Sequence, residues 1–214
     1  MKIVNILGIN VSNIKRNELE TKIHEFINNN SLDYIVTPNP EFLLAAKEDE
    51  EFFYILNKAN LAIPDGVGLW FAGLTKGKCL KRFTGADLVI QILKLAEYES
   101  KKVAIFNWKN SLSTVEDIKL AIKNKFPKLE FIVEEIEREW SMPYYKQVNL
   151  FEPDIALITL GAPWQEKFIF HHLFELSFIR LAVGVGGSFD YLTGKIKSSK
   201  NQNKLKDINK ELAH

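Results

Sequence analysis

This 214-residue sequence predicts an α/β fold: a Rossmann-like, mostly parallel sheet with helices on both faces, in a single domain. Three observations predict it. Short β-branched runs alternate along the chain with longer amphipathic ones. Pro and Gly are few and scattered, with no linker-like stretch and no repeat at a fixed period. Apolar residues make up 46% and charged residues 26%, which suits a chain that buries a core rather than a disordered one.

Taken in order, Ile3–Ile9 reads as a buried strand and Glu18–Asn29 as a helix. Tyr34–Thr37 is the second strand, followed by a helix over Pro40–Asn57, and Leu61–Pro64 is the third strand. In the helix Gly85–Tyr98, Leu88, Ile92, Leu95 and Ala96 fall on one stripe, while Lys94 and Glu97 lie off it. Val103–Phe106 and Phe131–Val133 are strands on either side of a helix at Thr114–Phe126. Ile155–Leu160, a helix at Trp164–Glu175 and the strand Ile179–Val183 complete the series. Strands alternating with helices of roughly 10–15 residues require right-handed crossovers and parallel pairing. The α/β domain is placed at residues 1–197, with a polar tail at 198–214.

Charge and cysteine content narrow the function classes. Lys and Arg number 28 against 27 Asp and Glu, a net +1, so no basic field draws nucleic acid. Runs without a charged residue, such as the 11 residues of Ile155–Gln165, fall short of the ~18 that cross a bilayer. Met1-Lys2-Ile3-Val4-Asn5 carries no secretory pattern. Cys79 is the single cysteine, and no Cys/His cluster has zinc spacing. The expectation is a soluble protein of a reducing cytoplasm, binding neither metal nor cofactor.

Ligands of open α/β sheets bind beyond the carboxyl ends of the strands. The stretches found there are Thr37-Pro38-Asn39-Pro40-Glu41, Pro64-Asp65-Gly66-Val67-Gly68, Asn107-Trp108, Gly161–Lys167 and Gly184–Asp190. All five are expected on one rim. Asn39 and Pro40 suit a helix N-cap and first turn, with Glu41 at the positive end of the dipole. Asn39, held between two prolines, also suits a substrate-orienting role. Asp65 could simply cap the next helix. Its apolar followers Val67, Leu69, Trp70 and Phe71 would partly desolvate it, raising its pKa toward that of a general base. Gly184, Gly186 and Gly187 allow close backbone approach to a phosphate, although Phe189 occupies the third glycine position of the dinucleotide fingerprint. A tight turn is the plainer reading of that cluster. Gly194-Lys195-Ile196 is not a Walker loop. His171 and His172 point some 100° apart on a helix and are read as packing and surface residues. Glu48-Asp49-Glu50-Glu51 is read as a solvated helix face. No Asp-x-Asp clamp is present, Ser188 lacks a nucleophile elbow, and Cys79 has no placed partner.

Side by side, Thr37–Glu41, Ile63–Gly68, Arg82–Leu88, Gly161–Lys167, Gly184–Asp190 and Thr193–Lys197 resemble the WecG/TagA/CpsF family of glycosyltransferases in order and spacing, over roughly residues 1–197. The resemblance implies metal-independent, inverting transfer of an N-acetylmannosamine-type sugar from a UDP-sugar. The implied acceptor is GlcNAc on undecaprenyl diphosphate, at the inner face of the cell membrane, in the synthesis of teichoic-acid linkage units or other surface polysaccharides. By the same resemblance, Asp65 is the base, and Thr37 and Asn39 line its pocket. Arg82, Gly161, Gln165, Glu166 and Lys167 border the donor, and Gly184, Gly186, Gly187 and Asp190 lie near the UDP. Arg82, Lys167, Lys195 and Lys197 are the cations near these motifs, each equally readable as a surface charge.

Members of that family usually continue into an apolar appendage containing Arg and Trp, whereas residues 198–214 are polar and lack both. Such a tail weakens peripheral membrane attachment. Phe168 replaces the family's usual Trp. The donor sugar and oligomeric state stay open. Two rival readings are a nicotinamide-dependent oxidoreductase and a non-catalytic nucleotide-binding module.

Overall fold

Along Tyr34-Ile35-Val36, Val103–Phe106 and Ile155–Ile158 every residue is buried, as expected of parallel strands covered on both faces. The computed structural model describes residues 1–65, 69, 73–74, 77, 80–81, 83–138 and 146–197. Gly66-Val67-Gly68, Trp70, Phe71, Cys79, Arg82 and the tail at 198–214 lie outside the described residues.

A hairpin of β1 (Lys2–Ile6) and β2 (Ile9–Asn13) precedes α1 (Arg16–Ile27), β3 (Asp33–Val36), α2 (Pro40–Glu48), α3 (Glu50–Lys58) and β4 (Leu61–Ala62). Then come α4 (Gly85–Tyr98), β5 (Val103–Trp108), α5 (Val115–Lys125), β6 (Phe131–Ile136) and α6 (Lys146–Phe151). The chain continues through β7 (Ile155–Ile158), α7 (Trp164–Phe168), a π-helical stretch at Ile169–Leu173, β8 (Leu181–Gly184) and α8 (Ser188–Leu192). Six strands form one parallel sheet in the order β4-β3-β8-β7-β5-β6. The Rossmann-like α/β expectation is met.

The two faces carry different side chains. Ile35, Ile105, Leu157, Leu181 and Val183 face α1, α4 and α5. On the other face, Ala104, Ala156 and Ala182 pair in register across β5, β7 and β8, and there α2, α3, α7 and the hairpin pack. Three small residues side by side leave room for Phe106 and Phe168, whose rings meet at 5.2 Å.

Several expectations need correction. The run Ile3–Ile9 does not enter the parallel sheet. It turns at Leu7 (φ 51°) and Gly8 (φ 88°) into an antiparallel pair, because a positive-φ turn joins adjacent antiparallel strands and not a crossover. Pro40–Asn57 is two helices: Asp49 is extended (φ −133°, ψ 96°), ends α2, and caps α3 by accepting the Phe52 N–H at 2.9 Å. Nor is the acidic run a plain solvated face, since Asp49 and Glu51 hold Lys167 at 2.7 and 2.8 Å. The helix beginning at Trp164 changes from α to π after Phe168, β8 begins at Leu181, and α6 answers no predicted element.

Candidate active site

A crevice of about 1000 Å³ opens beyond the carboxyl ends of β3, β4, β7 and β8. Thr37, Asn39, Asp65, Gly161, Gln165, Gly186, Gly187 and Asp190 all line it. Two lysines, Lys125 and Lys197, stand on its wall with Ile90, Tyr191, Leu192 and Ile196. This volume is at the upper end of ordinary small-ligand sites.

Local sequence explains how each wall is held. Pro38 and Pro40 bracket Asn39, whose side chain accepts the Phe42 N–H at 3.0 Å and starts α2. The capping role is therefore real, and the same residue lines the crevice. Asp65 follows β4, and its backbone N–H donates to the Pro38 carbonyl at 2.9 Å, tying the two strand-end loops together. Thr84 caps α4 by accepting the Asp87 N–H at 3.1 Å. Thr84, Gly85 and Asp87 line the crevice, so the N-termini of α2 and α4 both open onto it. Gly85 allows α4 to approach α8, because a Cβ there would lie 2.5 Å from Ser188 Oγ.

Asp190 is anchored from behind. Its Oδ1 accepts from Ser113 Oγ at 2.6 Å, and Ser113 Oγ lies 2.8 Å from Thr193 Oγ1. The buried amide of Asn107 donates to the Ser113 carbonyl at 3.0 Å and accepts from Thr159 Oγ1 at the same distance. This polar network connects the ends of β5 and β7 to α8. Ser113 had no motif to announce it.

Gln165 joins two glycine turns. Its Oε1 accepts the Gly161 N–H at 3.2 Å and the Gly186 N–H at 2.9 Å, while Nε2 donates to Glu166 Oε1 at 2.7 Å. Both glycines adopt positive φ, 73° at Gly161 and 47° at Gly186, which favours glycine. Glu166 is fully buried, and burial pushes its carboxyl up to about 7 despite the Gln165 hydrogen bond. Gly184 lies behind this pair: a Cβ there would meet Gln165 Nε2 at 2.6 Å and Glu166 Oε1 at 2.7 Å. Glu166 and Gly184 thus sit behind the crevice and not on its surface.

Of the cations named from sequence, Lys197 lines the crevice, Lys195 pairs with Asp117 at 3.0 Å, and Lys167 is turned to α3. The hydrogen bonds that Lys167 donates to Asp49 and Glu51 raise its pKa. Arg82 lies outside the described residues. Lys125, on the last turn of α5, gave no motif. The sequence reading also missed Arg138, whose guanidinium carbon stands 3.8 Å from the Trp108 ring centre and 4.1 Å from that of Trp164. Its Nε donates to the Leu160 carbonyl at 2.8 Å, fixing the chain just before Gly161. Among the described residues, no group of three or more His, Cys, Asp or Glu is placed to hold a metal ion. No helix among them is long and apolar enough to cross a membrane.

Comparison with known proteins adds identity to this geometry. The glycosyl transferase WecG/TagA/CpsF family matches residues 4–200. A Bacillus subtilis (strain 168) protein named N-acetylglucosaminyldiphosphoundecaprenol N-acetyl-beta-D-mannosaminyltransferase is 30% identical over 173 residues, 76% of this chain. The match spans 63% of that relative's length, just under two thirds. A Staphylococcus aureus (strain NCTC 8325 / PS 47) protein of the same name is 29% identical over 203 residues, covering 91% of this chain and 77% of the relative.

Proposed function

The chain belongs to the WecG/TagA/CpsF glycosyl transferase family, and from that premise we propose that it moves an N-acetylmannosamine-type sugar from a UDP-sugar to GlcNAc on undecaprenyl diphosphate. The reading rests above all on one observation: Asp65 lines the same crevice as the glycine turns at Gly161 and Gly186 and the anchored carboxylate of Asp190. Relatives whose names give an N-acetylmannosaminyl group and an N-acetylglucosaminyldiphosphoundecaprenol acceptor support the sugar and the acceptor. The enzyme acts from the cytoplasm, at the inner membrane face where such a lipid presents its sugar.

In this reading Asp65 takes the proton from the acceptor hydroxyl as that oxygen attacks the anomeric carbon. The bond from that carbon to the diphosphate oxygen breaks on the opposite side, giving inversion and free UDP. Charge growing on the departing diphosphate is met by the N-terminus of α4 and by Lys125 and Lys197. Asn39 and Thr37, on the Asp65 side, orient the acceptor. Asp190 accepts hydrogen bonds from donor hydroxyls with its second oxygen, the first being held by Ser113.

Mass-spectrometric assay of a UDP-sugar panel with a GlcNAc-diphosphate-lipid analogue tests this. Transfer from the N-acetylmannosamine donor is expected, with EDTA present, and Asp65→Ala should lower turnover ~10²–10⁴-fold while UDP still binds. Retention of more than about a tenth of parental turnover in that variant would remove Asp65 from the role of base.

A further inference from the structure

Behind the crevice wall lies a carboxyl group that the transfer chemistry above does not use. Glu166 has no exposed surface, and its Oε2 has no hydrogen-bond partner. A buried, half-satisfied carboxyl is costly, and an apolar side chain of similar size would pack there without that cost. Its Oε1 does accept a side-chain hydrogen bond, from Gln165 Nε2 at 2.7 Å.

That contact determines which way round the Gln165 amide sits. The oxygen must face the Gly161 and Gly186 N–H groups, since an amide NH₂ there would oppose two donors with a third. An acceptor at Glu166 Oε1 enforces this orientation, because a flipped amide would present oxygen to oxygen. Space enforces it again: both side chains lie against the bare Cα of Gly184, so neither can swing toward β8. The result is a strut between the turn after β7 and the turn after β8, and each turn supplies residues to the crevice.

We propose that Glu166 is a positioning residue: by orienting the Gln165 amide, it sets the separation of the Gly161 and Gly186 turns and so the width of the donor-binding wall. The proposal rests on the reading of the crevice as a donor site. It requires an acceptor at position 166 and not a charge. A strut in the binding wall affects ground and transition states alike, so its loss raises KM for the donor with little change in kcat.

The test compares Glu166→Gln with Glu166→Leu in the full chain. Amide hydrogen exchange is read at Gly161 and Gly186 by NMR, and donor KM and kcat are read by the transfer assay. Glu166→Gln keeps an acceptor oxygen and should match the parent in both. Glu166→Leu should speed exchange at both glycines by about three- to tenfold, the worth of a typical hydrogen bond, and raise donor KM by a similar factor. If Leu does not fold, Glu166→Met supplies the same apolar volume. Parental exchange at Gly161 and Gly186 in the apolar variant overturns the proposal. So does a Gln variant that behaves like Leu, or altered exchange with unchanged donor KM. The exchange data need no substrate. A parent that transfers nothing while its glycine amides respond as described would overturn the functional reading and leave the strut standing; the reverse pattern would remove the strut alone.

Discussion

Asn39 performs two tasks with one amide, and substitution separates them. Its oxygen caps α2, and its Nδ2 hydrogens remain for a ligand in the crevice. Asn39→Asp keeps a capping oxygen and removes the donor. It should leave urea-unfolding stability within about 0.5 kcal/mol of the parent and still reduce transfer at least tenfold. Asn39→Ala should lose activity as well as about 1 kcal/mol of stability. Equal activity in parent and Asp variant would reduce Asn39 to a cap. The difference between what residues announce and what they hide is plain at this scale. Asn39, Asp65, Gly161, Gln165, Gly186, Gly187 and Asp190 stood in strand-end stretches rich in Pro and Gly, where turn chemistry marks the ends of elements. Ser113, Lys125 and Arg138 reach the site region through tertiary packing, and no local pattern flags a residue that arrives that way. Conversely, the adjacency of Gln165, Glu166 and Lys167 in sequence suggested one shared role, yet successive helical positions point about 100° apart. Gln165 faces the crevice, Glu166 the interior and Lys167 the acids of α3.

Among the elements, the break between α2 and α3 has the clearest energetic signature. Burial would raise the Asp49 carboxyl, but hydrogen bonds from Lys167 and the Phe52 N–H outweigh it, and the net shift is downward. Glu51 is likewise lowered, chiefly by Lys167 and also by His171. Carboxyls with depressed folded-state values contribute stability that is present above their unfolded values and lost as pH falls through the folded ones. The contribution is small because these side chains are partly exposed. Lys167→Met should therefore be less stable than the parent by under about 1 kcal/mol at pH 7, with the difference shrinking as pH falls below the ordinary range of Asp and Glu. Urea titrations across that range measure it; a difference that grows in acid would contradict the assignment. The helical period ran unbroken across Asp49, so periodicity alone read one helix. The side-chain cap that splits it competes with helix continuation and leaves no mark in the apolar pattern. The hairpin was missed for a related reason: Leu7-Gly8 sits inside a hydrophobic run that looks like a single strand.

At the level of the molecule, the parallel sheet was readable because strand-length apolar runs separated by helices leave few other ways to cover both faces. The order β4-β3-β8-β7-β5-β6 was not, since pairing partners lie far apart in the chain. That order brings β8, the last strand, between β3 and β7 and so closes the crevice between early and late segments. The approach of α4 to α8 is part of this closure, and its tolerance is narrow. Gly85→Ala would drive a methyl into Ser188 Oγ and should destabilise by about 1–3 kcal/mol. Adding Ser188→Ala should recover part of that loss, and a double-mutant cycle on thermal unfolding would give the coupling. Strict additivity would show that the two helix starts do not constrain each other.

The row Ala104, Ala156 and Ala182 lies on the sheet face that also receives Phe168, Ile169 and Leu173, the continuation of the helix that carries Gln165. One added methyl group in that row is expected to press on the side chains packed there and so to disturb the helix that carries Gln165. On the proposed reading, substitutions in this buried row are expected to change donor affinity, although none of the three side chains lines the crevice.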